Sequence, residues 1–443
     1  MQWSRMRLGM CISLCMQGWH LSRGAALCAL LAACMAPAAS KAGTLTIEGW
    51  RGDDKGVWEN VLIPAFQKQH PGVKVIFSPT APTEYDSSLN ARLAGGTAGD
   101  LLACRPFDVS LSLYRQGRID RLDGKDGMEN FPPSAKVAWQ TDDGKETFCM
   151  PVASVIHGFF YNKAIFRELG LLPPKTEDAF FNVLETVKRS GKYAPLALGT
   201  ADQWEAHQLL FTSIGPNYWK GEEGRKALIK GTARFTDAPF VAAWDYAARI
   251  GAYLHKGASA QTYGDSQNQF SLGRAAIYPG GSWDTTFFSQ NPQMELGVFP
   301  PPVRSVGDQC YLSDHTDIGM AVNAGSKNKA DAYLLLAWMG SQEFADLYTN
   351  EVTGFFSLSR HPITVKNPIA RQMLEWRTSC ASTIRLNAQV MNRGYPSMEN
   401  EMWVVNARVL NGKLSASDAA EQIQSGFAKW YPPQQQADKP TSE

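Results

Sequence analysis

Gly43-Thr44-Leu45-Thr46-Ile47-Glu48-Gly49-Trp50-Arg51-Gly52-Asp53-Asp54-Lys55, followed at a distance by His70-Pro71-Gly72-Val73-Lys74-Val75-Ile76-Phe77-Ser78-Pro79, decides the fold class. The first run reads as a strand that ends in a polar turn, and the second starts a new strand after a proline-glycine break. Between them Trp58, Val61, Leu62, Ala65 and Phe66 recur at i, i+3, i+4, i+7 and i+8, which places one apolar stripe on a helix. A polar helix over 84–93 follows, Gly95-Gly96 closes it, and Asp100-Leu101-Leu102-Ala103 reads as a short buried strand. Strand, helix, strand, helix, strand predicts an α/β fold with open, mostly parallel sheets flanked by helices.

The same alternation returns further along. Residues 155–161 form an apolar strand, Asn162-Lys163 starts a helix, and Phe180, Val183, Leu184 and Val187 share a face of another that Gly191 stops. Residues 194–199 return to a strand, 238–253 to a helix, and 270–278 run into Pro279-Gly280-Gly281-Ser282-Trp283. A strand over 318–322 and a helix over 330–339 suggest a return to the first α/β unit, while 368–430 read mainly as helix and the tail from 432 as disordered. About 400 residues exceed what one core usually supports, so two domains are expected.

Residues 1–42 read as a signal peptide: Arg23 precedes the apolar stretch 24–35, too short to span a bilayer, and Ser40-Lys41-Ala42 offers small residues for cleavage. Release into the periplasm is expected. Leu31-Ala32-Ala33-Cys34 also resembles a lipoprotein box, which would leave a lipid anchor at Cys34, and an internal Met16 is an alternative start. The net charge is +1, and residues 43–443 carry −3 once four leader cations are set aside, which argues against nucleic acid as a partner. Four cysteines, Cys104, Cys149, Cys310 and Cys380, follow the leader; an oxidising compartment allows one or two disulfides, and spacing alone assigns none.

Catalytic templates fit poorly. Gly280-Gly281-Ser282-Trp283-Asp284 lacks the closing glycine of a nucleophile elbow, and Gly95-Gly96-Thr97-Ala98-Gly99 lacks the lysine of a P-loop. Asp314-His315-Thr316-Asp317 has metal-ligand residue types, but no second histidine-rich segment supports a centre. A glycosidase carboxylate pair is a spatial feature that spacing cannot test. What recurs is aromatic and polar residues just after strands, where loops at the carboxyl ends of a sheet build a crevice. These are Trp50, Arg51, Asp54 and Lys55; Arg105 and Asp108; Asp202 and Trp204; and Gly281, Trp283 and Asp284, with Tyr85, Asp314, His315, Phe355 and Arg393 as further candidates. Indole beside carboxylate or guanidinium suits a pyranose, whose C–H face stacks on the ring while its hydroxyls pair with charge.

At these residues the chain resembles the periplasmic extracellular solute-binding proteins of ABC importers, in the carbohydrate-binding group that includes maltose-binding protein. Gly52-Asp53-Asp54-Lys55-Gly56 resembles a sugar-contacting turn of that group, Pro151-Val152-Ala153 with Tyr161-Asn162-Lys163 its hinge strand, Gly280-Gly281-Ser282-Trp283 a loop with a stacking aromatic, and Pro396-Ser397-Met398 through Trp403 its C-terminal helices. Val155 and Cys104 depart from it, standing where maltose-binding protein has glutamate and tryptophan, so maltose itself is not the expected ligand. The resemblance implies a two-lobed type II periplasmic binding protein. Lobe I is expected over 43–152 and 310–360, lobe II over 153–309 and 361–431, and the tail over 432–443. It also implies a carbohydrate ligand in the cleft, permease subunits of an inner-membrane ABC transporter as partners, a monomer, no cofactor or metal, and no catalysis. A polyamine or glycerol phosphate receptor, and a secreted glycan-processing enzyme, are the competing readings.

Overall fold

The computed structural model describes residues 43–435, so the expected signal peptide, the lipid-anchor cysteine and residues 436–443 lie outside the described residues. Ten strands make the framework: β1 (Thr44–Gly49), β2 (Lys74–Pro79), β3 (Leu101–Cys104), β4 (Met150–Asn162), β5 (Ala194–Leu196), β6 (Ala275–Gly281), β7 (Leu296–Phe299), β8 (Tyr311–Val322), β9 (Phe356–Ser357) and β10 (Ala381–Thr383). Leu45 and Ile47 of β1 are fully buried, each stabilising the fold by roughly 1.5–3 kcal/mol, and the alternation read from the sequence is the one the strand uses. The helix Tyr85–Gly95 ends where expected, because Gly96 takes the left-handed conformation (φ 67°) that a residue with a side chain resists.

The α/β class and type II architecture hold, but the sheet is mixed rather than mostly parallel, and one ladder joins both halves. Its order is β2-β1-β3-β8-β4-β6-β5. β1 runs parallel to β2 and β3, and β5 to β6, whereas β8 is antiparallel to both β3 and β4, and β4 to β6. The cause is length. β4 spans 13 residues, all but one of them buried, and pairs with β8 over its first half (Ile156 opposite Asp314) and with β6 over its second (His157 opposite Gly281). A chain that passes from one half to the other and back on long strands must run antiparallel to itself.

The helical expectation for 368–430 holds for Pro368–Glu375, Met398–Leu410 and Ala416–Ala428, with β10 between the first two. Residues 432–435 correct the disordered tail: Pro432–Gln435 is a helical turn, and buried Gln434 donates to the carbonyls of Leu228 and Ala233. Both disulfides form, Cys104–Cys149 and Cys310–Cys380. The first ties the end of β3 to the residue before β4, so Cys104, which departs from the resembled pattern, is a structural bond. Among the described residues no helix is long and apolar enough to cross a membrane, and no cluster of His, Cys, Asp and Glu could hold a metal ion.

Candidate functional site

Where β4 changes partner from β8 to β6, the loops after β1, β2, β3 and β6 converge with the segment after β5 around a cleft of about 250 Å³. Its walls carry Trp50, Arg51, Asp53, Arg105, Trp204, Gln208, Tyr263, Trp283, Asp317, Arg385 and Trp403, with 79–82 along one edge. Each wall has a different construction.

The first wall is guanidinium. Arg51 donates from Nε and Nη2 to Asp54, both at 2.8 Å, and lies 4.8 Å over the ring of Phe355. Burial works against its charge, but Asp54 and then Asp53 raise its pKa well above the ordinary value. Arg105 sits 4.5 Å over Trp50 and is pinned by Asp86 (3.0 Å) and the carbonyl of Pro82 (2.9 Å). Tyr85, packed against Trp50 and donating to the Ala103 carbonyl (2.8 Å), fixes that stack from below. Asp53 lines the cleft and approaches Arg51 no closer than 3.9 Å.

The second wall is aromatic and rests on buried acids. Trp283 follows β6 in a turn that needs glycine at 281, since a Cβ there would lie 2.0 Å from the indole. Asp284, fully buried, accepts from the Gly281 amide (3.1 Å), the Tyr263 hydroxyl (2.5 Å) and Gln267 (3.0 Å). Burial pushes its carboxyl up to about 6, against the pull of those donors. Tyr263 in turn packs 4.8 Å from Trp204. Beneath Trp204 lies Glu205, at 0% exposure, with neither oxygen hydrogen-bonded in the described residues. Burial, then the nearby Asp202 carboxylate, pushes it up to about 9, so it is neutral at physiological pH.

The floor is Arg385, which donates from Nε to His315 (3.1 Å) and from Nη2 to Asp317 (3.0 Å). Burial, followed by Arg385, holds His315 well below the usual imidazole range. Trp403, on the helix Met398–Leu410, brings a buried indole N–H with no partner in the described residues.

Of the sequence candidates, Trp50, Arg51, Arg105, Trp204 and Trp283 line this cleft. Asp54, Tyr85, Gly281, Asp284, His315 and Phe355 stand behind it as supports. The others lie outside its walls. Lys55 is 54% exposed at its side chain and 3.8 Å from Glu59, and Asp202 accepts from the Tyr263 amide (3.0 Å). Asp314 is held by Arg377 at 2.7 Å, and Asp108 by Arg393 at 2.7 Å; Arg393 also reaches Asp142. The sequence reading missed Asp53, Gln208, Tyr263, Arg385 and Trp403, and had Asp317 only as one of the metal-ligand residue types in 314–317. Gln208 was within reach, because it follows Trp204 by one helical turn and shares its face. Arg385 and Trp403 come from more than 300 residues beyond Trp50, and no local pattern announces that meeting.

Known proteins share this framework. Residues 51–345 match the family described as bacterial extracellular solute-binding protein. The multiple sugar-binding protein of Streptococcus mutans is 23% identical over 361 residues, covering 76% of this chain and 80% of the relative. Among solved structures, the bacterial solute receptor AcbH, described as preferring β-D-galactopyranose, superposes with a TM-score of 0.75 at 19% identity over 87% of this chain and 98% of that one. The solute-binding protein RafE, in complex with raffinose, gives 0.71 at 20% identity over 88% and 100%. With two-thirds of the sequence inside the family match and the cleft built where β4 changes partner, this chain belongs to the bacterial extracellular solute-binding protein family.

Proposed function

We propose that this chain is the extracellular receptor of an ABC import system and captures a carbohydrate in the cleft for delivery to a membrane permease. One observation carries the reading: a cleft of about 250 Å³ in which four indoles face guanidinium groups already fixed by carboxylates. Indole faces take the C–H side of a pyranose, and fixed charged groups take its hydroxyls without reorganising. The charge balance speaks against the two competing ligands. Arg51 is neutralised by Asp54, Arg105 by Asp86 and Arg385 by Asp317, so there is no surplus of positive charge for glycerol phosphate. Asp317 is already paired and Asp53 alone lines the cleft with a loosely held carboxylate, which is little for a polyamine. Several similar proteins carry names of sugar binders, and the matched proteins are receptors, which supports binding without turnover.

The lobes are proposed as 43–152 with 310–360 and 153–309 with 361–431, hinged where β4 passes from β8 to β6, in a monomeric periplasmic protein. Thermal melts of residues 43–443 with D-galactose, melibiose, raffinose, stachyose and xylobiose should show a stabilising shift with at least one sugar, growing as RT ln(1 + [L]/Kd). Small-angle scattering should show a smaller radius of gyration with the same sugar. A shift with spermidine or glycerol 3-phosphate and none with any sugar would overturn the ligand class, and release of product from a glycoside would overturn the receptor.

A further inference from the structure

His315, a sequence candidate for ligand contact, does not reach the cleft; it lies 4% exposed behind Arg385, and its surroundings fix which nitrogen carries the proton. Nδ1 faces the carbonyl oxygen of Thr316 at 2.8 Å, so Nδ1 must donate. Nε2 of the neutral ring is then bare, and two groups approach it: Nε of Arg385 at 3.1 Å and Nε2 of His157 at 3.0 Å. Arg385 can only donate there, so the His315 lone pair is its acceptor, while the His157 ring, which also meets the backbone of Gln208, packs against the same nitrogen. The second ring is clamped in turn, nearly perpendicular to the Trp283 indole with centroids 5.1 Å apart.

We propose that His315 and His157 are positioning residues for ligand binding: a neutral imidazole pair, one ring on β8 and one on β4, whose bare nitrogen holds the Arg385 guanidinium at the floor of the cleft. Asp317 takes Nη2, the imidazole takes Nε, and Nη1 has no partner among the described residues, which leaves it for an oxygen of the ligand. The geometry requires an uncharged acceptor at His315. A protonated ring would point an N–H at the Arg385 donor and add a charge beside it. The charged and titratable groups around the pair are Arg385, Asp317, Glu399 on the helix Met398–Leu410, and His207, which is neutral and held by Asn387 and Asn406. Because β4 and β8 pair along the segment where the proposed hinge lies, the same contact ties the floor of the cleft to that hinge.

This inference rests on the cleft being the sugar site, and the experiment separates the two. In the ligand-free wild-type chain, nitrogen-15 spectra of the imidazoles should show both rings neutral and His315 protonated at Nδ1, with the Arg385 Nε–H protected from exchange. His315→Gln, whose amide oxygen replaces the bare Nε2, should keep that protection and bind the sugars of the panel within about threefold of wild type. His315→Leu should lose the protection and weaken the binding about tenfold or more, the cost of leaving a charged donor without its acceptor. A proton on His315 Nε2 in the wild type overturns the proposal even if no variant folds, and so does a His315→Leu protein with wild-type Arg385 protection. If no sugar binds the wild type while the spectra are as expected, the sugar reading fails and the positioning of Arg385 stands.

Discussion

The two walls of the cleft solve the same problem in opposite ways. The wall after β1 and β3 keeps its charges and pairs them: Arg51 on Asp54, Arg105 on Asp86, each also lying on an aromatic ring. The wall after β5 and β6 puts its acids underneath, where burial raises both carboxyls: Glu205 to about 9, so that it is neutral at physiological pH, and Asp284 to about 6, so that it is mainly an anion there, satisfied by three donors, and the surface facing the cleft is ring rather than charge. A ligand meets fixed donors on one side and apolar faces on the other, which is the two-sided chemistry of a sugar ring. The difference also predicts that removing an acid of the first wall strands a buried cation, while the acids of the second destabilise the fold as anions.

The largest effect should come from Asp54. As an acid facing the cleft it would contribute to affinity alone, but it is fully buried and its partner Arg51 has a side chain only 11% exposed. Removing one member of a buried pair leaves the other charge uncompensated, so Asp54→Ala should cost about 3–5 kcal/mol of folding stability. Denaturant melts without sugar would measure it. A loss below about 1 kcal/mol would make the pair an ordinary surface contact and erase the distinction between the walls.

Glu205 tests the opposite wall through pH. Its carboxyl holds a proton up to about 9 in the folded chain, whereas the unfolded chain releases it near 4.5. Between those values the unfolded state is increasingly favoured as pH rises, by at most on the order of 1.4 kcal/mol per pH unit. Glu205→Gln removes that slope while adding a constant cost for an unpaired amide. The variant should therefore gain on wild type between about pH 5 and about pH 8, read as the difference of melting temperatures at the two. A difference that does not change with pH would mean that Glu205 is ionised and paired in the folded chain.

How much of this was legible in the sequence follows from the range of each signal. The first three strands, the capped helix Tyr85–Gly95 and the strand leading to Trp283 are local patterns, and all of them stand. Their carboxyl-end loops, with the segment after β5, therefore pointed to Trp50, Arg51, Arg105, Trp204 and Trp283. Direction within the sheet was not local: the antiparallel course of β8 depends on a pairing with β4 that spans more than 150 residues. Roles within the site were not local either. Asp53 and Asp54 are adjacent and chemically identical, yet only the structure tells the wall residue from the one buried behind it.

The aromatic platforms come next in size. Trp283 is 7% exposed and offers the cleft a face that no cation among the described residues covers, whereas Arg105 already lies over Trp50. Trp283→Ala should weaken sugar binding by about 2 kcal/mol, in the range of buried aromatic anchors, and Trp50→Ala by about half as much. Both variants also lose core packing, so affinity is to be read by calorimetry on protein that circular dichroism shows to be folded. Equal losses would mean that the covered and uncovered indoles are used alike.

The smallest effect sharpens the boundary of the first wall. Lys55 belongs to the same turn as Asp53 and Asp54 and was a candidate for the same reason, but more than half of its side chain is exposed, its contact is Glu59 at 3.8 Å, and it does not line the cleft. A pair so exposed and so loosely spaced contributes little, because water screens it and two long side chains must be ordered to make it. Lys55→Ala should leave both sugar affinity and melting behaviour within about 0.5 kcal/mol of wild type. If the affinity instead fell about tenfold, Lys55 would have to swing onto the ligand on closure, and the cleft wall would extend two residues beyond Asp53.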